Sequence, residues 1–231
     1  MTESKQWLIE AQQLSHAYQD GDRMLEVLKG IDFKIFEQDT IAIHGVSGTG
    51  KSTLLNLLAG FLKPTSGRVL YKGTDLNMMS ESQVSHYRNH SIGFVYQRHY
   101  MVRELSIIEN VALPLIIRGV ARLQALEDAR QVLASVGLSL KCDCFAHQIS
   151  GGQRQRAAVA RALVTKPSII FADEPTGSLD KKTSKDLVEL LMQLTQSSSA
   201  KPALILVTHD RELLGLCQRS LEVADGRLVY D

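Results

Sequence analysis

The sequence lacks an excess of charge of either sign. Its 231 residues include 26 lysines and arginines against 25 aspartates and glutamates, which leaves a formal net charge of +1 and a pI near 7.8. A domain that binds the phosphate backbone of nucleic acid is usually strongly basic, with a pI above about 9. We therefore expect no nucleic acid as the main partner.

Long hydrophobic runs are also missing. The longest apolar segments, such as VALPLII at 111–117, fall short of the roughly 18 residues that a membrane-spanning helix needs. The opening residues MTESKQWLIE show no basic stretch followed by an apolar core, so we expect no secretory signal. If the protein works at a membrane, another chain must cross it.

Cysteine is scarce and occurs only as Cys142, Cys144 and Cys217. So small a number favours a reducing cytoplasm over a disulfide framework. Cys142, Cys144 and His147 have the spacing C-x-C-x-x-H, but no fourth ligand is evident. Loop thiols explain this spacing better than a metal site does.

The patterns that are present alternate between strand and helix. The segments WLIEAQQLSHAY, LEVLKGIDFKI and GRVLYKG have a period near two, which predicts an antiparallel β layer. The segment DTIAIHG is continuously apolar and leads into a turn and a helix. That pattern is typical of a buried parallel strand.

From residue 101 to 165 the apolar residues recur at helical spacing. Beyond it, PSIIFADEPTG and ALILVTHD read as buried strands and SKDLVELLMQLTQ as an amphipathic helix. The fold class is therefore predicted to be α/β, with a mainly parallel, helix-covered sheet. We expect one domain over 1–231, in which 1–100 and 166–231 form the core with its β layer and 101–165 form a helical subdomain.

The segment IAIHGVSGTGKSTLL contains the pattern G-x-x-x-x-G-K-[ST] between a predicted strand and a predicted helix. Glycines let backbone N–H groups close around phosphate oxygens, the lysine reaches the β and γ phosphates, and the serine hydroxyl ligates Mg²⁺. The sequence thus predicts a nucleotide site, whose contacts are Gly45, Val46, Ser47, Gly48, Thr49, Gly50, Lys51, Ser52 and Thr53.

Three chemical groups follow apolar strands. Asp173 and Glu174 end the strand IIFADE, and His209 follows the last apolar strand. One carboxylate there suits the magnesium shell and the other suits the attacking water. An imidazole at the same sheet edge suits a hydrogen bond to the γ-phosphate.

A second anion site is predicted at ISGGQ, where Ser150, Gly151 and Gly152 precede an unbroken helix. By itself this pattern indicates an ordinary helix cap. Because one chain needs only one phosphate loop, a second site makes sense when two copies face each other and each caps the other's nucleotide. The sequence therefore predicts a composite dimer.

Together these motifs resemble the ATP-binding subunit of an ABC transporter. The matches run from residue 18 to residue 209 in the order expected of that family. GVSGTGKS matches the Walker A loop, ISGGQ the signature, IIFADE the Walker B strand and GSLD the D-loop, while Gln97, His209 and Tyr18 match the Q-loop glutamine, the switch histidine and the aromatic residue that stacks on adenine.

The resemblance implies a role for each matched residue. Glu174, His209 and Gln97 would act in hydrolysis, and Ser52, Gln97 and Asp173 would hold Mg²⁺. ATP would lie between the Walker A loop of one copy and Ser150, Gly151, Gly152 and Gln153 of the other, with Asp180 at the dimer seam. Two residues depart from the family pattern, namely Ile149 in the signature and Ser178 in the D-loop.

Segments outside these motifs, such as ARALVTKPSIIFADEPTGSLD, resemble the LolD group, the ATPases of the lipoprotein-releasing system. This resemblance implies integral membrane subunits as partners and a peripheral location at the cytoplasmic face of the bacterial inner membrane. MacB-type exporters and FtsE-type cell-division complexes share most of these motifs and stay open as alternatives. A soluble ABC ATPase of translation or DNA maintenance is the remote alternative, since the chain shows one cassette and no sustained heptads.

Overall fold

A computed structural model describes residues 7–198 and 200–230. Residues 1–6 of the segment MTESKQWLIE, for which we expect no secretory signal, lie outside the described residues. The strands are β1 (Trp7–Asp20), β2 (Arg23–Phe36), β3 (Thr40–His44), β4 (Ser66–Tyr71), β5 (Thr74–Asp75), β6 (Ile92–Tyr96), β7 (Ile169–Asp173), β8 (Ala203–Val207), β9 (Arg219–Ala224) and β10 (Arg227–Tyr230). The helices are α1 (Lys51–Leu58), α2 (Glu81–Ser91), α3 (Ile107–Ile117), α4 (Arg122–Ser135), α5 (Gly151–Leu163), α6 (Lys181–Ser197) and α7 (Arg211–Leu214).

The chain divides into two compact units, Met1–Arg88 with Ala203–Asp231, and Asn89–Pro202. This division assigns β6, β7 and α6 to the same unit as the helices of 101–165. The sequence predicts a core of 1–100 and 166–231 with a helical subdomain of 101–165, and those domain boundaries stay a prediction.

The first unit contains the predicted antiparallel layer, in the order β2-β1-β4-β5. Strands β2 and β4 both pair with β1 antiparallel, which confirms the strand prediction for the opening third. In the same unit β3 pairs parallel with both β8 and β9. The side chains of β8 are all buried, as are the first four of β3, which explains why both segments are continuously apolar.

The second unit pairs β6 with β7 in parallel and also contains helices α3, α4, α5 and α6. The helical prediction for 101–165 is confirmed by α3, α4 and α5. Helix α6 buries Leu187, Val188, Leu191, Met192 and Thr195 at three-and-four spacing, as its amphipathic sequence predicts. The sequence patterns predict neither α2, whose residues are mostly polar, nor β6, which is a strand of only five residues.

Among the described residues, no helix has both the length and the apolar character that crossing a bilayer requires.

Candidate active site

The predicted phosphate loop is the turn between β3 and α1 in the first unit. Gly50 has a φ of +102°, and a Cβ there would lie 2.8 Å from the side chains of both Val27 and Leu28. Gly45 has a φ of +139°, and its Cβ would collide with the carbonyl oxygen of Val223. Only glycine combines a positive φ with the absence of a Cβ atom. Glycines at positions 45 and 50 therefore allow the loop to pack closely against β2 and β9.

Lys51 opens α1 and is 6% exposed. Its Nζ atom donates to the carbonyl oxygens of Gly45 at 2.9 Å and Val46 at 2.8 Å. The loop is thus folded around the ammonium group. Because an ammonium group has three N–H donors, one stays available to a phosphate oxygen.

The amino end of α1 suits an anion. Its N-cap residue Gly50 has no side chain with which to cap the helix, and the first turn contains no acidic residue. The first-turn N–H groups and the exposed hydroxyl of Ser52 are therefore not screened by a neighbouring carboxylate of that turn.

Tyr18 and His209 lie in the same unit as this loop. The hydroxyl of Tyr18 is 3.2 Å from Oγ1 of Thr53, on the second residue after Lys51. His209 is exposed and follows Thr208, whose N–H donates to the carbonyl of Ile43 at 3.1 Å. That bond aligns the end of β8 with the end of β3, so His209 follows a residue that is tied to the strand leading into the loop.

The second unit places Gln97 and the two acidic residues at one sheet edge. Tyr96 pairs with Asp173 across the parallel strands β6 and β7, so Gln97 and Glu174 both follow directly. Glu174 has a φ of +43°, which is an uncommon conformation for a residue other than glycine. Such strained residues cluster at functional sites. A Cβ at Gly177 would collide with the amide of Gln97, so Gln97 lies directly over the D-loop glycine.

The signature segment begins α5 in the same unit. Ser150 is the N-cap, and its Oγ accepts from the N–H of Gln153 at 3.2 Å while Gln153 Oε1 accepts from the N–H of Ser150 at 3.0 Å. Arg154 fixes the segment that leads into α5 by donating hydrogen bonds to the carbonyls of Ala146 at 3.1 Å and Ile149 at 2.7 Å. This capping box occupies the N–H groups of Ser150 and Gln153. The rest of the exposed helix start stays available to an anion.

Asp180 caps α6 close to the signature. It accepts from Thr183 N at 3.0 Å and from Thr183 Oγ1 at 2.6 Å. These hydrogen bonds lower the pKa of the Asp180 carboxyl. A Cβ on Gly152 would be 3.1 Å from Thr183 Cγ2, so the two helix starts are neighbours.

The structure therefore groups the predicted site residues by unit. The phosphate loop, Tyr18 and His209 lie in the first unit, and Gln97, Asp173, Glu174, the signature and Asp180 lie in the second. The assignment of these residues to ATP and Mg²⁺ stays a prediction.

Two residues that sequence reasoning missed hold the segment that contains Gln97. Gln155 of α5 is 2% exposed and donates to the carbonyl of Tyr96 at 2.7 Å. Arg161 of α5 donates to the carbonyls of His99 at 2.6 Å and Tyr100 at 2.9 Å. Both lie at helical spacing from buried alanines of α5, and a polar residue on an apolar helix face was the signal that could have found them.

The first unit holds phosphate donors, and the second unit holds oxygen atoms that suit a cation and a carboxylate that suits an attacking water molecule. Phosphoryl transfer requires all of these groups. Residues 28–177 match the family model whose description is ABC transporter.

The chain is 42% identical to the lipoprotein-releasing system ATP-binding protein LolD of Geobacter metallireducens, over 97% of this chain and 99% of that protein. It is 44% identical to the LolD protein of Bordetella avium, over 98% of this chain and 97% of that protein.

Among solved structures, it resembles a dimeric, post-hydrolysis state of an ATP-binding cassette bound to ADP and Pi. The TM-score is 0.87 at 31% identity, and the match covers 96% of this chain and 98% of that chain. The motifs, the fold and these matches agree, and the chain belongs to the ABC transporter family as an ATP-binding, ATP-hydrolysing cassette.

Proposed function

We propose that this cassette powers a separate membrane complex that releases lipoproteins from the bacterial inner membrane. The observation that carries the proposal is its similarity to LolD proteins from end to end, at 42% identity over 97% of this chain and 99% of the Geobacter relative. The proposal gives the protein a peripheral position at the cytoplasmic face of that membrane, with integral membrane subunits as its partners.

The residues present suit Mg²⁺. Gln97 and Asp173 supply an amide oxygen and a carboxylate at the ends of two paired strands, and Ser52 supplies an exposed hydroxyl at the start of α1. Hard oxygen donors of this kind are the ligands that Mg²⁺ prefers. When bound, the cation neutralises charge on the β and γ phosphates.

The protein's own groups position and polarise the reactants. The phosphate loop and Lys51 bind the phosphates, and Glu174 orients and deprotonates the attacking water. His209 donates a hydrogen bond to the γ-phosphate, where charge develops. No covalent intermediate is required.

The same proposal assigns the signature to the nucleotide of a second copy. Ser150, Gly151, Gly152 and Gln153 form an anion-binding helix start, and Asp180 caps the neighbouring helix. In a homodimer, ATP would lie between the phosphate loop of one copy and the signature of the other. Hydrolysis would remove the γ-phosphate and reopen the dimer.

The segment 98–105, RHYMVREL, is proposed to contact the membrane subunits. Helix α5 carries the signature at its start and holds this segment through Arg161. Asn110 of α3 adds a hydrogen bond from the N–H of Val102 to its Oδ1 at 2.7 Å. A displacement of α5 would therefore carry the docking segment with it.

The catalytic assignments predict different defects for two variants. Lys51→Ala removes the buried ammonium group from the phosphate loop, so we expect it to lose most ATP binding. Glu174→Gln keeps the size of the side chain but removes the base, so it should bind ATP and hydrolyse it at least about a hundredfold more slowly. Titration calorimetry and a phosphate-release assay measure the two quantities, and a Glu174→Gln rate near that of the wild type would exclude this base.

The partner assignment is tested by capture. Tagged Glu174→Gln protein is incubated with ATP and solubilised inner membranes, and the co-purifying chains are identified by mass spectrometry with Lys51→Ala as the control. Membrane subunits with large external domains, accompanied by lipoproteins, would support lipoprotein release. Cell-division or drug-export membrane proteins would assign the cassette to the FtsE or MacB branch instead, and ribosomal or DNA-bound partners would contradict the transporter proposal.

A further inference from the structure

The ring of Tyr18 is held at two points. The ring of His16 packs against it nearly perpendicular, with centroids 4.7 Å apart and an interplanar angle of 81°. Its hydroxyl is 3.2 Å from Oγ1 of Thr53 on α1. The Tyr18 side chain is nevertheless 41% exposed. An aromatic surface is thus open to a ligand while its orientation is already fixed.

The backbone around His16 is also fixed. The carbonyl of Ser15 accepts from Thr65 N at 2.9 Å, and the N–H of Ala17 donates to Thr65 Oγ1 at 3.0 Å. The pairing of β1 with β2 shifts register on both sides of His16. Irregularities of this kind re-aim side chains locally, so the direction of the His16 ring is set by the strand and not by solvent.

One ring nitrogen of His16, Nδ1, makes no hydrogen bond within the part of the chain that the structure describes. This nitrogen is also buried. Buried polar atoms without partners are rare. What this position supplies is therefore the flat ring and its edge-to-face contact, a geometry that aromatic pairs favour.

We propose that His16 is a positioning residue for the nucleotide base: it holds the Tyr18 ring in the orientation that stacks on adenine. The inference rests on the proposed role of Tyr18 and extends it to a second residue. A preoriented ring loses less conformational freedom when the base binds. The contribution of His16 therefore appears only for ligands that carry a base.

The test compares ATP with inorganic tripolyphosphate, which has the phosphates and no base. Binding is measured by titration calorimetry on Glu174→Gln protein, with and without substitutions at residue 16. We expect His16→Ala to weaken ATP binding about three- to tenfold and to leave tripolyphosphate binding unchanged. His16→Phe, which keeps a ring and removes the unpartnered nitrogen, should restore ATP binding with no loss of thermal stability.

Two results would overturn the inference: His16→Ala weakens both ligands equally, or it weakens neither. A merely structural role would produce the first. Tyr18→Ala separates this inference from the proposal on which it rests. If Tyr18→Ala leaves the ratio of ATP to tripolyphosphate affinity unchanged, the base-stacking role of Tyr18 is wrong; if that ratio falls for Tyr18→Ala but not for His16→Ala, only the positioning role is wrong.

Discussion

At the scale of single residues, the site depends on glycines at positions where a Cβ atom would collide with a neighbouring atom. Gly50 and Gly45 have left-handed conformations and close neighbours, so the phosphate loop is specified by what these residues lack. Gly177 does the same for the Q-loop, because its missing Cβ leaves room for the amide of Gln97. The close packing at these glycines therefore sets the positions of the phosphate loop and of the Gln97 amide.

Gly93 of β6 gives a direct test of such a contact. A Cβ there would lie 2.6 Å from the carbonyl oxygen of Ala162 on α5, so we expect Gly93→Ala to force strand and helix apart and to cost about 1–3 kcal/mol of stability. Thermal unfolding should show a Tm lower by several degrees. The matched control is Gly215→Ala, whose Cβ would be 3.7 Å from the nearest atom. Equal Tm values for the two variants would contradict the close approach of β6 and α5.

The glycine motifs and strand-end carboxylates were predictable from sequence because their chemistry is local. The phosphate loop needs a strand, a turn and a helix in succession, and IAIHGVSGTGKSTLL provides all three. The bond from Gln155 to Tyr96 joins residues 59 positions apart, and nothing local in either segment announces it. The register that places Asp173 opposite Tyr96 is likewise set by long-range pairing.

At the scale of elements, α5 joins two functional segments. Its first turn presents the signature, while Gln155 and Arg161 further along the helix hold the carbonyls of Tyr96, His99 and Tyr100. Burial lowers the pKa of the Arg161 guanidinium. The helix is thus the element through which a change at the signature would reach the segment that contains Gln97.

Replacing Gln155 tests this link. Gln155→Leu leaves the Tyr96 carbonyl without its donor, and an unsatisfied buried acceptor costs about 1–3 kcal/mol. Since Gln97 follows Tyr96 directly, we also expect a lower kcat in a steady-state ATPase assay. Gln131→Leu is the control, because Gln131 is exposed on α4. A Gln155→Leu protein with the stability and kcat of the control would show that α5 does not position Gln97.

A carboxylate at the start of α3 makes the free energy of unfolding depend on pH. Glu109 accepts hydrogen bonds from the N–H and hydroxyl of Ser106 and pairs with Arg122 at 2.6 Å, and these contacts lower the pKa of its carboxyl. A depressed carboxyl pKa contributes stability above the unfolded value, about 4.3, and this contribution is lost as the pH falls through the lower folded value.

Thermal unfolding between pH 6 and pH 3 measures this contribution. We expect the wild-type Tm to fall more steeply below about pH 4.3 than that of Glu109→Gln, which carries no titrating carboxyl at this position. The difference should be small, because the group is near the surface. Parallel curves for the two proteins would contradict the assigned cap.

At the scale of the whole molecule, the chain carries one phosphate loop and one signature, and each is complete within its own unit. A solved cassette of the same fold, 31% identical to this chain, is described as dimeric and bound to ADP and Pi. The neutral balance of charge, +1 over 231 residues, leaves little electrostatic repulsion between two copies. We therefore propose that ATP is the ligand that joins two copies.

The most direct measurement is sedimentation of Glu174→Gln protein with and without ATP. We predict that the 25.6 kDa chain sediments as a species of twice that mass when ATP is present. We also predict that adding Ser150→Arg to the same background blocks this dimerisation, because the signature would no longer accept the γ-phosphate bound to the second copy. A protein that binds ATP tightly and still sediments at 25.6 kDa, or a Ser150→Arg form that dimerises as well as its parent, would contradict the composite site.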